Sequence, residues 1–195
     1  MIKAILFDLG GVFASDPLPL TCRRLSKITG IKFNKIYKIA KQNHDPIQRG
    51  KITIGKYWEN VRRDLKSGFD INEAQEMYLK FLKPYRRMIT LIKKLRKEYK
   101  VGLLSNTEKE NFLYWKKKYY FNKIFDVIIT SFEISSRKPE RKIYKKAIEK
   151  LACRPNEIIF VDNESKNLKT AASLGMRTIH YVSHENFLKE LNRLL

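Results

Sequence analysis

Five short apolar runs, each stopping at a polar or small residue, constrain this chain more than any other feature. They are Ala4-Ile5-Leu6-Phe7 into Asp8, Val101-Gly102-Leu103-Leu104 into Ser105, Val127-Ile128-Ile129-Thr130 into Ser131, Ile158-Ile159-Phe160-Val161 into Asp162, and Thr178-Ile179-His180-Tyr181-Val182. Runs this continuous read as strands buried on both faces. Amphipathic stretches lie between them: Met88-Ile89 with Leu91-Ile92 and Leu95, Phe112 with Tyr114-Trp115, Ile143-Tyr144 with Ala147-Ile148 and Leu151, and Leu168 with Ala171-Ala172 and Leu174. Strand alternating with helix predicts an α/β fold with a doubly wound parallel sheet. Gly175 after Leu174 predicts a helix stop, and Thr107 with Glu110 has the spacing of a capping box.

Residues 15–83 break this alternation, with no strand-like run in a series of helical patterns. Phe33, Ile36 and Ile39-Ala40 form one face while Lys32, Lys35, Lys38 and Lys41 lie off it, and Tyr57-Trp58 with Val61 and Leu65 repeat the pattern. The expected organisation is a core made of 1–14 and 84–195, with an inserted helical cap at 15–83. Pro17, Pro19, Pro46 and Pro84 punctuate the insert.

With 41 Lys and Arg against 20 Asp and Glu the net charge is +21, which raises the question of a nucleic-acid or anionic-membrane partner. The charge is spread along the chain, and no arm or tail concentrates it. A lysine-rich solvated surface is therefore expected, and no specific nucleic acid. Cys22 and Cys153 are far apart and belong to no CxxC pair, so neither a disulfide framework nor a zinc site is indicated. A single Lys3 before a brief apolar run that meets Asp8 is no signal peptide, and no stretch has the length of a membrane span. The expectation is a cytoplasmic protein without a membrane partner; nothing in the sequence sets the oligomeric state.

In an open parallel sheet, ligands bind beyond the carboxyl ends of the strands, which draws attention to Asp8, Ser105, Ser131 and Asp162. Asp8 lies in Phe7-Asp8-Leu9-Gly10-Gly11-Val12, where paired glycines allow close backbone approach. Ser105-Asn106-Thr107 ends a strand and opens a helix, the setting of an anion site. Lys138 precedes Pro139 at a helix start, and Asp162-Asn163-Glu164 supplies hard oxygen ligands suited to Mg²⁺. Singly, each residue also has an ordinary reading: turn former, helix cap or solvated lysine.

In order, the four elements resemble the haloacid-dehalogenase-like hydrolase superfamily, whose Rossmann-like core carries such a cap after the first strand. The stretches Leu104-Ser105-Asn106-Thr107, Arg137-Lys138-Pro139-Glu140 with Ile143-Tyr144, and Gly50-Lys51-Ile52 look most like the branch that holds α-D-glucose-1-phosphate phosphatase. The resemblance implies a Mg²⁺-dependent phosphatase of a small phosphorylated metabolite, a sugar phosphate among the options, with Asp8 attacking phosphorus to give an aspartyl-phosphate. It implies that Ser105, the Asn106 N–H and Lys138 hold the phosphoryl oxygens, and that Asp8, the Gly10 carbonyl, Asp162 and Asn163 hold the metal.

Two positions depart from the family's usual pattern. Most phosphatases of the superfamily carry a second Asp at the position of Gly10, a general acid typically worth about 10²- to 10⁴-fold; the glucose-1-phosphate phosphatase branch shares the glycine. Asn163 stands where an Asp is usual, which leaves one charge fewer for a metal. Two rival readings follow: a fold-retaining protein that binds phosphate or a partner but turns over poorly, and a metal-independent 2-haloacid dehalogenase. His44, His180 and His184 are scattered, with His180 expected inside a buried strand, and Trp58 is a packing residue or a wall of the substrate pocket.

Overall fold

Alternation along each strand decides which side chains face which layer. The computed structural model describes residues 1–195. After β1 (Ala4–Phe7) come five helices, α1 (Pro17–Thr29), α2 (Phe33–Gln42), α3 (His44–Gln48), α4 (Ile54–Leu65) and α5 (Ile71–Phe81). Then follow α6 (Arg86–Leu95), β2 (Lys100–Ser105), α7 (Lys109–Lys118), α8 (Phe121–Ile124), β3 (Val127–Thr130) and α9 (Ser131–Ile134). The chain closes with α10 (Arg141–Leu151), β4 (Ile158–Asp162), α11 (Ser165–Ser173), β5 (Arg177–His180) and α12 (His184–Leu194).

All five strands are parallel, in the order β3-β2-β1-β4-β5. Ile5, Phe7, Val101, Leu103, Ile159 and Val161 pack on one face with α6, α7 and α12; Ala4, Leu6, Leu104, Ile158 and Phe160 pack on the other with α10 and α11. Phe7 meets Phe187 edge-on at 6.1 Å and Tyr144 meets Phe160 at 5.7 Å, one aromatic pair for each face. The sheet is thus doubly wound, as the buried runs require. The order reverses between β1 and β4, because the chain runs outward from β1 through β2 to β3 before returning to the far side. That reversal opens a crevice beyond Phe7 and Val161, which are paired in register.

The helical segment leaves and rejoins the sheet side by side. Ala14 bridges Pro84 in antiparallel fashion, Ser15 N–H donates to Lys83 O at 3.1 Å, and Tyr85 N–H donates to Phe13 O at 3.0 Å. Asp16 caps α1 through a 3.0 Å bond from Leu18 N–H, and Pro17 occupies the first turn where its missing N–H costs nothing. Apolar packing continues without a break from the sheet face into the helices, through Leu18, Cys22, Trp58 and Val61. Arg49 of the helical segment also pairs with Glu140, which precedes α10, and with Asp45 of its own segment at 2.9 Å.

Three local expectations change. The capping box at Thr107 does not form: α7 starts at Lys109, and Thr107 N–H is drawn instead to Ser131 Oγ at 3.0 Å. His180 is exposed, because β5 is an edge strand with only Ile179 buried; its Nε2 lies 3.1 Å from Asn163 O. Trp58 is fully buried in an aromatic group with Tyr57, Phe69 and Tyr78, and Trp115 lines the crevice in its place. Gly175 does end α11, with φ of 89° and its N–H on Ala172 O. No helix is long and apolar enough to cross a membrane.

Candidate active site

Two carboxylates and one ammonium meet in the crevice. Asp8 leaves the end of β1 and Asp162 the end of β4, and Lys138 Nζ lies 2.6 Å from Asp8 Oδ1 and 2.7 Å from Asp162 Oδ2. Lys138 is 1% exposed and Asp162 fully buried, so these charges interact with little screening by water. Burial pushes the Asp8 carboxyl well above the usual carboxylate range; Lys138 opposes the rise and the Asp162 charge adds to it. Burial alone would lower the Lys138 ammonium, but Asp162 and Asp8 outweigh it and hold it above its ordinary value.

Each member of the cluster is held by its neighbours. Asp162 Oδ1 accepts from Glu164 N–H at 2.7 Å, and the Asn167 amide donates to both carboxylate oxygens at 3.1 and 3.0 Å. Asp8 Oδ1 accepts from Leu9 N–H at 2.7 Å. The Asn106 side chain clamps the Lys138 backbone, accepting from its N–H at 2.7 Å and donating to its carbonyl at 2.9 Å. That amide is therefore committed to placing Lys138, a role the sequence did not suggest for it. The Lys138–Pro139 peptide is cis. Ser131 Oγ, bonded to Thr107 N–H at 3.0 Å, fixes the loop after Ser105, and Ser105 lines the same cavity as Asp8 and Lys138.

The two glycines differ. Gly11 has φ of +84°, where any side chain is strained, and a Cβ there would lie 2.6 Å from Asn163 Nδ2, which would have to move. Gly10 is free of that constraint: a Cβ would meet nothing nearer than 3.8 Å, and what it would meet is the Asp16 side chain. Asn163 is exposed and borders the cavity with Gly10. The donors fit Mg²⁺. Asp8 and Asp162, whose carboxylates meet at Lys138 Nζ, are hard oxygen donors, and no group of three or more His, Cys, Asp or Glu gathers there. An ion held here would need further ligands from amide and backbone carbonyls, water or phosphate, which is the habit of Mg²⁺.

The seven residues to which the family resemblance gave roles, Asp8, Gly10, Ser105, Asn106, Lys138, Asp162 and Asn163, gather at this crevice. The sequence reading missed other residues of the cavity wall, which encloses about 100 Å³: Asp16, His44, Gln48, Glu108 and Arg137. Arg137 and Glu108 could have been found from their places beside Lys138 and Asn106. His44 and Gln48 gave no such signal, since they arrive from the helical segment.

Glu108 is 2% exposed and accepts from Tyr78 OH at 3.0 Å. Burial pushes its pKa from 4.5 up to about 7, against bonds from its own N–H and Tyr78. A carboxyl that keeps its proton longer in the folded state contributes stability that is fully present below pH 4.5 and lost as pH rises through about 7. The loss should approach about 3 kcal/mol. Urea unfolding of the wild type and Glu108→Gln at pH 4.5 and 8 checks it: the fall between the two pH values should shrink by that amount in the variant.

A doubly wound parallel sheet with a carboxylate, lysine and carboxylate at its switch point is the architecture in which a ligand site beyond the strand ends is expected. The family model for haloacid dehalogenase-like hydrolases matches residues 5–181, and the chain belongs to that family. It is 26% identical to the sesquiterpene phosphatase astK of Aspergillus oryzae over 99% of this chain and 96% of that protein. It is 24% identical to a D-ribitol-5-phosphate phosphatase of Bacteroides thetaiotaomicron over 100% of this chain and 99% of that one. The magnesium complex of a HAD family enzyme from Bacteroides thetaiotaomicron superposes with a TM-score of 0.76 at 25% identity, covering 98% of both chains. These comparisons support the family and not the narrower glucose-1-phosphate phosphatase branch.

Proposed function

We propose that the protein is a Mg²⁺-dependent phosphatase of a small phosphorylated metabolite, acting through an aspartyl-phosphate on Asp8. The observation that carries this reading is the Asp8–Lys138–Asp162 cluster at the strand-order reversal, where a buried ammonium stands between two carboxylates. Two relatives spanning the chain are phosphatases, which supports it. Residues 15–83 are read as the cap that closes over the phosphoryl group and excludes water.

Asp8 Oδ1 is tied to Leu9 and Lys138, so Oδ2 is the oxygen that attacks phosphorus. The ester P–O bond breaks, the alcohol leaves with a proton drawn from solvent, and water then hydrolyses the acyl-phosphate to free phosphate and Asp8. Lys138 opposes the rise that burial imposes on the Asp8 carboxyl and, with Ser105 and the Asn106 N–H, receives the phosphoryl oxygens. Asp8, the Gly10 carbonyl, Asp162 and Asn163 would hold the metal. Bound Mg²⁺ supplies neutralisation of the charge that develops on the transferred group.

The test is hydrolysis of p-nitrophenyl phosphate with Mg²⁺ against EDTA, together with melting in beryllium fluoride. Activity should need the metal. Beryllium fluoride with Mg²⁺ should raise Tm by mass action, since it completes a phospho-aspartate-like group on Asp8. No shift, or an equal shift in Asp8→Asn, counts against the site.

A further inference from the structure

Lys138 stands in a stretch that has no helix or strand of its own. Residues 135–140 join α9, which ends at Ile134, to α10, which begins at Arg141. Asn106 clamps the Lys138 backbone in the middle of the stretch. Its two ends, the Ser135 carbonyl and the Glu140 carboxylate, are held from elsewhere.

Arg49, which follows α3 in the helical segment, holds both. Its Nη1 donates to Ser135 O at 3.2 Å and to Glu140 Oε2 at 3.2 Å, its Nη2 donates to Glu140 Oε1, and its Nε donates to Asp45 Oδ2 at 2.9 Å. All three nitrogens are engaged, in the forked geometry that a guanidinium offers and an ammonium does not. Two more contacts tie the same group together: Ser136 Oγ donates to Glu140 Oε2 at 2.8 Å, and Arg137 Nη1 reaches Asp45 Oδ1 at 3.5 Å. The pairs Lys56–Glu59, Lys80–Glu76 and Arg193–Glu190, by contrast, each lie within one helix and join nothing distant.

The Gly50-Lys51-Ile52 stretch, which the chemistry above leaves without a role, accounts for the approach. Gly50 has φ of +71°, and a Cβ on it would already touch Phe132 of α9 at 3.4 Å. Glycine lets the chain leave α3 in that conformation and lie against α9, with Arg49 beside the stretch that α9 feeds. Lys138 Nζ has to meet two carboxylates at 2.6 and 2.7 Å, and a misplacement of about 1 Å at such a site can cost about 100-fold in rate.

We propose that Arg49 is a positioning residue for Lys138: by gripping both ends of the stretch that carries it, Arg49 sets the ammonium between Asp8 and Asp162 and makes that setting depend on the docked helical segment. The proposal rests on the phosphatase reading above and adds to it a residue that never touches the phosphoryl group.

The test compares Arg49→Met, Arg49→Lys and Glu140→Gln with the wild type on p-nitrophenyl phosphate and acetyl phosphate in Mg²⁺, at a temperature where melting shows each variant folded. In Arg49→Met, kcat and kcat/KM should both fall about 10- to 100-fold, leaving KM little changed. The factor should be the same on the two substrates, because they share only the phosphoryl group. Arg49→Lys keeps the charge without the fork and should stay close to Arg49→Met. Adding Glu140→Gln to Arg49→Met should cost little more, since both changes break one link. Lys56→Met, which removes an exposed cation of the same segment, should match the wild type. If Arg49→Met does not fold, Glu140→Gln provides the test at a side chain 41% exposed, with the same pattern expected. An unchanged kcat in the folded variants, a fall that differs between the two substrates, or full activity in Arg49→Lys overturns the proposal and leaves the phosphatase reading intact. A wild type that hydrolyses neither substrate overturns both.

Discussion

Asp8→Asn protein should fold normally and lose turnover by about 10⁵- to 10⁶-fold, the scale on which removal of a covalent nucleophile acts. The amide matches the carboxylate in shape, and its Oδ1 can still accept from Leu9 N–H and Lys138. Burial already disfavours a charge at position 8, so neutralising it costs little stability, and Lys138 keeps Asp162 as its partner. What the amide lacks is an oxygen able to attack phosphorus. Phosphate release from p-nitrophenyl phosphate and thermal melting decide the matter together: a variant that melts with the wild type and keeps most of its activity removes Asp8 as nucleophile.

The second large effect is a gain. Gly10→Asp should raise hydrolysis of alkyl phosphates by about 100-fold or more, within the range typical of a positioned general acid, and change aryl phosphates much less. Alkyl esters need a proton as the P–O bond breaks, whereas aryl leaving groups depart without one. The backbone permits the change, since Gly10 lies outside the left-handed region and a Cβ would meet only ordinary contacts at 3.8 Å. Those contacts are with Asp16, whose own carboxyl burial holds above its usual range. Two carboxyls so close cannot both ionise readily, which favours a proton on the pair. A folded Gly10→Asp enzyme whose alkyl-to-aryl ratio matches the wild type rejects the missing-acid account. Gly11→Asp is the contrasting control, strained by its φ and by Asn163, and should fold poorly.

The sequence displayed the sheet clearly because a strand buried on both faces has nowhere to put a polar residue. Ile158 to Val161 is the plainest case, and its apolar run could end only where the chain emerged into the crevice at Asp162. The strand-end part of the candidate site was legible for the same reason: Asp8, Ser105 and Asp162 are the first polar residues after apolar runs. His180 was misread because a sequence run does not say whether its strand lies at the centre or the edge of a sheet. Thr107 was misread because a nearby Ser131 hydroxyl competes for the N–H that a capping box would leave to its own helix.

What the sequence by itself determined is local: the runs that make strands, the helical segment between Asp16 and Leu82, the glycines, and the polar residues waiting at the strand ends. Only the tertiary structure decided that Asn106 grips the Lys138 backbone across 32 positions, that one ammonium bridges Asp8 and Asp162, and that His44 and Gln48 face Glu108's cavity from another layer. The physical reason is that strand and helix periodicity are set by neighbours along the chain. The partner of a buried charge or a buried amide is set by which distant segment the strand order brings alongside, and by the cost of leaving that group unpaired once water has been excluded.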